Sequence, residues 1–144
     1  MKLKKRVLVV DDDHDVRNIL YRFLLLQGFA VETTENGIEA LEIFTENHFD
    51  AVLTDFHMPC MDGLTLARQI RMDDPQILII IITSDIWMST QEKALVNYVI
   101  EKPFRLNEIY TILQGALDPT LIRSSMPPPP VAENASKSGT ELRK

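Results

Sequence analysis

Apolar positions along this chain switch repeatedly between strand-like and helix-like spacing. Residues 7–10 form a continuous apolar run of strand length, and residues 14–27 then carry Val16, Ile19, Leu20, Phe23 and Leu24 at helical spacing. Gly28 is placed to end that helix. A short strand is predicted at 30–33, followed by a helix capped by Asn36 with Ile38, Leu41 and Phe44 on its inner face. Residues 51–54 read as a third strand, and Leu64, Ala67 and Ile70 mark a third helix. The run 77–82 is β-branched almost throughout, as expected of a strand buried on both faces. The segment 86–95 predicts a weaker helix because its apolar spacing is irregular, and 98–100 a fifth strand. Leu106, Ile109, Tyr110, Leu113 and Leu117 make the cleanest helical stripe, with Pro119 just beyond it.

Five β-then-α units whose strands are apolar on both sides predict an α/β fold, a doubly wound parallel sheet covered by helices on both faces. Beyond 118 the pattern stops. Prolines at 127–130 cannot donate backbone hydrogen bonds, and the remaining polar stretch has too few large apolar groups to offset its ordering entropy. The expected division is a folded domain at 1–118 and a flexible Pro-rich tail at 119–144. The whole chain carries 21 acids against 15 bases, a formal charge of −6. That acid excess, which belongs to the folded part, argues against a general nucleic-acid or membrane-surface binder. A single cysteine, Cys60, suits a reducing compartment, and no apolar run approaches the length of a membrane span or a signal-peptide core. The expected location is cytoplasmic.

Open parallel sheets bind ligands beyond the carboxyl ends of their strands. There this sequence puts Asp11, Asp12 and Asp13 after the first strand and Asp55 after the third. Thr83 and Ser84 follow the fourth strand, and Lys102-Pro103 the fifth. Carboxylates crowded together repel, which raises their apparent pKa values or calls for a cation, and Mg²⁺ suits clustered oxygen ligands with room left for water and phosphate. An aspartate beside such an ion, a lysine and a hydroxyl meets the needs of phosphoryl transfer, with Asp55 as the oxygen nucleophile. A plainer reading of Asp11–Asp13 is capping and charge complementation of the first helix, most of all for Asp13.

The segments VLVVDDDHDVR, DAVLTDFHMPCMDG, IIIITS and EKPF, in that order and each at a strand end, resemble the receiver domain of bacterial two-component response regulators over roughly residues 5–117. The resemblance implies a flavodoxin-like (βα)5 fold with strand order 2-1-3-4-5. It implies that Asp55 is the phosphoacceptor and that Asp12, Asp55 and the backbone carbonyl of His57 bind Mg²⁺, with Asp11 acting mainly through water. Lys102 would contact a phosphoryl oxygen, Thr83 would swing its hydroxyl toward the phosphoryl group, and the Lys102–Pro103 bond would be cis. The implied partners are a sensor histidine kinase or phosphotransfer protein and an unidentified downstream protein. Neither direct DNA binding nor membrane contact is expected, and the chemistry is self-phosphorylation and autodephosphorylation rather than turnover of a separate substrate. The sequence reads as a stand-alone receiver signalling by protein–protein contact.

Two features depart from the family pattern. Only nineteen positions separate Thr83 from Lys102, a shortfall that should fall in a shortened fourth helix. Three positions before Lys102, where the family has an aromatic, stands Val99, with Tyr98 one position earlier and so on the other face of its strand. Two alternatives remain open at this stage: a receiver-like interaction module that phosphorylation does not regulate, and a phosphohydrolase of the haloacid-dehalogenase type built on Asp11 and Asp13.

Overall fold

A computed structural model of the chain describes residues 3–85 and 87–118. The expected tail at 119–144 lies outside them. Ten elements alternate: β1 (Arg6–Val10), α1 (His14–Leu26), β2 (Ala30–Thr34), α2 (Gly37–Glu46), β3 (Ala51–Asp55), α3 (Gly63–Asp73), β4 (Leu78–Thr83), α4 (Thr90–Lys93), β5 (Tyr98–Glu101) and α5 (Leu106–Leu117). The five strands form one sheet in the order β2-β1-β3-β4-β5, and every pair is parallel. This is the doubly wound flavodoxin-like architecture the sequence predicts.

Strand periodicity divides the core into two layers. Val7, Val9, Ala51, Leu53, Leu78, Ile80 and Ile82 face α1 and α5, where they meet Leu20, Leu24, Ile109 and Leu113. Leu8, Val10, Val52, Ile79 and Ile81 face the other way, onto Ala40 and Phe44 of α2 and Leu64, Ala67 and Ile70 of α3. Tyr98 packs with the first layer and Val99 with the second. Burial pushes the Tyr98 phenol pKa up.

The helix signals act much as their sequence suggests. Asp13 caps α1 through the N–H groups of Asp15 and Val16, Asn36 caps α2 through that of Glu39, and Asp62 caps α3 through that of Thr65. Gly28 follows α1 with φ +97°, a conformation L side chains rarely adopt. Two apolar positions fall elsewhere than periodicity suggests. Ile38 is 48% exposed rather than on the inner face of α2, because Gly37, Ala40 and Phe44 take that face. Ile19 is also half exposed, leaving Leu20 and Leu24 as the anchors of α1.

The fourth helix is shorter than the 86–95 segment suggested. Met88 is drawn into the core at 4% exposure, so the helix starts only at Thr90, behind a reciprocal capping box between Ser89 and Glu92. Its far end is fixed by Asn97, whose N–H donates to the Ile79 carbonyl (2.8 Å) and whose side-chain oxygen accepts from the Ile79 N–H (2.8 Å). Arg71, from the last turn of α3, reaches the same place. Its guanidinium donates to Asn97 Oδ1 (2.8 Å) and to the carbonyls of Leu95 (2.9 Å) and Ile77 (2.6 Å). Burial lowers the Arg71 pKa, with Asp74 opposing that shift. No helix among the described residues is long and apolar enough to cross a membrane.

Candidate functional site

The sheet order makes β1, β3, β4 and β5 consecutive neighbours, so the residues at their carboxyl ends share one rim. Asp11 follows β1 and is 3% exposed, whereas Asp12, one residue on, is exposed. Asp55 ends β3 and is 9% exposed. Carboxylate oxygens of Asp11, Asp12 and Asp55 all lie within 4.8 Å of one another.

Lys102 enters this corner from the end of β5. Its Nζ is 3.3 Å from Asp11 Oδ2 and 3.5 Å from Asp55 Oδ2. The other oxygen of each acid is held by backbone: Asp11 Oδ1 accepts the Asp13 N–H and Asp55 Oδ1 accepts the Phe56 N–H, both at 2.8 Å. Each acid thus gives one oxygen to its own loop and one to the shared ammonium, which fixes its rotamer. Burial holds the Asp11 carboxyl above the usual carboxylate range, and repulsion from Asp55 adds to that. The Asp13 N–H and Lys102 pull the other way.

Several neighbours keep the corner in place. Arg17 donates to the Asp11 carbonyl (2.8 Å), and the Asp11 N–H donates to the Thr34 carbonyl (3.2 Å), tying the acidic loop to α1 and β2. The Gly63 N–H donates to the Phe56 carbonyl (2.8 Å), and a Cβ on Gly63 would collide with the Asp55 carbonyl oxygen. Glycine at the start of α3 therefore lets the loop after Asp55 close tightly. The sequence pattern singled out neither Gly63 nor Arg17. A cation in the first turn of a helix runs against the helix dipole, and that was the available signal.

Thr83 is fully buried at the end of β4. Its Oγ1 accepts the Asp85 N–H (3.1 Å), and its carbonyl accepts the Lys102 N–H (2.8 Å). The Lys102–Pro103 peptide is cis. His57 lies two residues past Asp55 with an exposed imidazole, edge-on to Phe56 and 3.6 Å through Nε2 from the Asp85 carboxylate. Asp13 is turned to its capping role on α1, so the pair of strand-end acids that a dehalogenase-type site needs is not assembled.

Three carboxylates and a lysine form a hard, oxygen-rich corner open to solvent on the Asp12 side. Such a donor set fits Mg²⁺ better than a soft or nitrogen-preferring metal.

Comparison with known proteins agrees with this geometry. Residues 7–114 match the family model of the response regulator receiver domain. The chain is 39% identical over 116 residues to Regulatory protein AtoC of Escherichia coli (strain K12), an overlap of 78% of this chain and 25% of AtoC. It is 36% identical over 115 residues to Response regulator MprA of Mycobacterium sp. (strain KMS), covering 78% of this chain and 50% of MprA. The chain thus matches half or less of the length of these curated relatives. Among solved structures, response regulator protein TrrA from Thermotoga maritima, in complex with Mg²⁺–BeF, aligns with a TM-score of 0.73. Identity there is 32%, over 78% of this chain and 98% of TrrA. TrrA has also been solved in complex with histidine kinase ThkA. Chemotaxis response regulator CheY4 of Vibrio cholerae aligns with a TM-score of 0.72 and 30% identity, over 79% of this chain and 99% of CheY4. A match that runs from the first strand into the last helix settles the family: the chain belongs to the response regulator receiver domains.

Proposed function

We propose that this receiver accepts a phosphoryl group on Asp55 in a Mg²⁺-dependent reaction and passes the signal on by protein–protein contact. The observation that carries the proposal is the position of the Lys102 ammonium, within 3.5 Å of carboxylate oxygens from both Asp11 and Asp55. Lys102 there neutralises the nucleophile's corner in the resting protein and faces the oxygens that a phosphoryl group would bring.

In the proposed reaction a carboxylate oxygen of Asp55 attacks phosphorus. The new P–O bond forms as the bond to the donor breaks, and the bonding electron pair leaves with the donor atom. Lys102 moves from balancing two carboxylates to contacting a phosphoryl oxygen, which keeps negative charge on the transferring group stabilised throughout. Asp12, Asp55 and the His57 backbone carbonyl would hold Mg²⁺, with Asp11 acting through water. When bound, the ion supplies charge neutralisation to the phosphoryl oxygens. Thr83 would give its hydroxyl to the phosphoryl group once that group is in place.

The TrrA complex with Mg²⁺–BeF supports the metal assignment, and the TrrA complex with ThkA supports a histidine kinase or a phosphotransfer protein as donor. A cytoplasmic location suits such a donor and the single exposed cysteine.

A small-molecule phosphodonor with Mg²⁺ should add one phosphoryl group to the native chain, read by intact mass, and Asp55→Asn should add none. A native mass that stays unchanged under conditions labelling a control receiver would overturn the proposal.

A further inference from the structure

The phosphoryl-transfer chemistry makes no use of Asp85, yet that residue joins three parts of the rim. Its backbone N–H donates to Thr83 Oγ1 at 3.1 Å, and its Oδ1 accepts the Trp87 N–H at 3.1 Å. Its Oδ2 lies 3.6 Å from His57 Nε2. One residue thereby links the end of β4, the connection that leads to α4, and the loop that follows Asp55.

We propose that Asp85 is a positioning residue, a clasp that keeps the Thr83 hydroxyl in its resting contact and is released when Asp55 is phosphorylated. This rests on the phosphoacceptor reading above. Thr83 is fully buried, so its hydroxyl cannot turn to a new partner without depriving the Asp85 N–H of its acceptor. The backbone at Asp85 must then move, and its carboxylate leaves His57 and Trp87 with it. Phosphorylation drives the same displacement electrostatically. It brings about two negative charges and three strong acceptor oxygens to the residue two positions before His57. Those oxygens repel the Asp85 carboxylate and offer the nearby imidazole a second anionic neighbour.

The clasp is weak enough to serve as a switch. The His57 and Asp85 side chains are 60% and 53% exposed, where even a full ion pair would change an equilibrium only about twofold to fivefold. A resting-state contact of that strength reduces the affinity of the active state for its ligand by the same factor. Release also frees the backbone at Trp87, which is 84% exposed, so the freed residue is a large apolar side chain available to a partner.

The test titrates the full chain with beryllofluoride and Mg²⁺. Fluorine NMR reports occupancy, and fluorescence of Trp87, the single tryptophan, reports the loop. Asp85→Asn should bind beryllofluoride about twofold to fivefold more tightly than wild type, a direction that general damage to the loop would not produce. In a His57→Gln background the same substitution should add little. Hydrogen exchange at the residue-85 and Trp87 amides of the untreated chain should quicken in Asp85→Ala, which removes the acceptor of the Trp87 N–H that Asn would keep. Wild type that responds to beryllofluoride, with Asp85→Asn no tighter or equally effective without His57, overturns the clasp alone. Wild type that binds no beryllofluoride overturns the phosphoacceptor reading and the release step with it, whatever the exchange data show. Unchanged amide exchange overturns the resting clasp in either case.

Discussion

The two halves of the carboxyl rim are built on different principles. In the β1–β3 half, which Lys102 enters from the end of β5, both buried acids are held from two sides: Asp11 and Asp55 each bond a backbone N–H and face Lys102, and Arg17 and Gly63 brace the loops beneath them. In the β4–β5 half, a four-residue helix bridges the strands, and the connection is tied by Asp85 at one end and by Arg71 and Asn97 at the other. The fixed charges of the first half suit the proposed reaction, and under the proposed clasp the second half is the part that moves. Preorganisation is concentrated where that reaction would hold phosphorus.

The contrast can be broken at several points. Lys102→Ala should lower the rate of phosphoryl transfer by about a hundredfold in a rapid-quench assay, while circular dichroism shows the fold intact. Equal transfer rates would mean that the rigid half does not carry the chemistry. Arg71→Leu should destabilise the chain by about 2–3 kcal/mol in urea, because the carbonyls of Leu95, Ile77 and Pro75 and the Asn97 side chain lose their donor. Its effect should be local, with faster hydrogen exchange at residues 94–98 and phosphoryl incorporation retained.

Asp11→Asn has opposite effects on stability and on metal binding. Removing a buried carboxylate whose charged form is disfavoured should raise the metal-free melting temperature by a few degrees, and should weaken Mg²⁺ binding about tenfold by calorimetry. The pH dependence follows from the same shift. The folded chain holds the Asp11 proton more tightly than the unfolded chain does, so this residue contributes a stability that rises as pH falls through its raised folded-state pKa, and that is lost as pH rises. Mg²⁺ affinity should instead fall as pH falls through that interval, because the proton and the metal compete. Asp11→Asn should remove its share of both trends. The smallest effect is expected from Trp87→Tyr, within about 0.5 kcal/mol of wild type in stability, since an exposed ring holds nothing up.

Much of the fold was legible because strand runs such as 7–10 and 77–82 are apolar on both faces, a pattern that suits only a covered parallel sheet. The corner was legible as well. Acids and a lysine at strand ends converge once the topology is known, and the chain order of Asp11, Asp12, Asp55, Thr83 and Lys102 follows the strands. What escaped depends on packing partners that periodicity does not encode. Ile38 fits a helical stripe, yet Gly37 holds the buried position, because a Cβ there would press on Met61 of the neighbouring loop. The shortening of α4 was legible in the Thr83–Lys102 spacing, but its start at Thr90 was hidden, because Met88 looks like one more irregular apolar residue until the core claims it. Arg71 reads as an ordinary solvated cation on a helix, and nothing local reveals that three carbonyls wait for it. The His57–Asp85 contact spans two loops and leaves no spacing signature.

The order of the sheet has one more consequence. Asp55 sits on the middle strand, yet the lysine that faces its carboxylate comes from the end of β5, at the margin of the sheet. The strand tips at Thr83 and Lys102 are thereby pinned, while the stretch between them is not: a lineage could rebuild the α4 connection, acquire a new listener, and leave the Asp55 corner untouched.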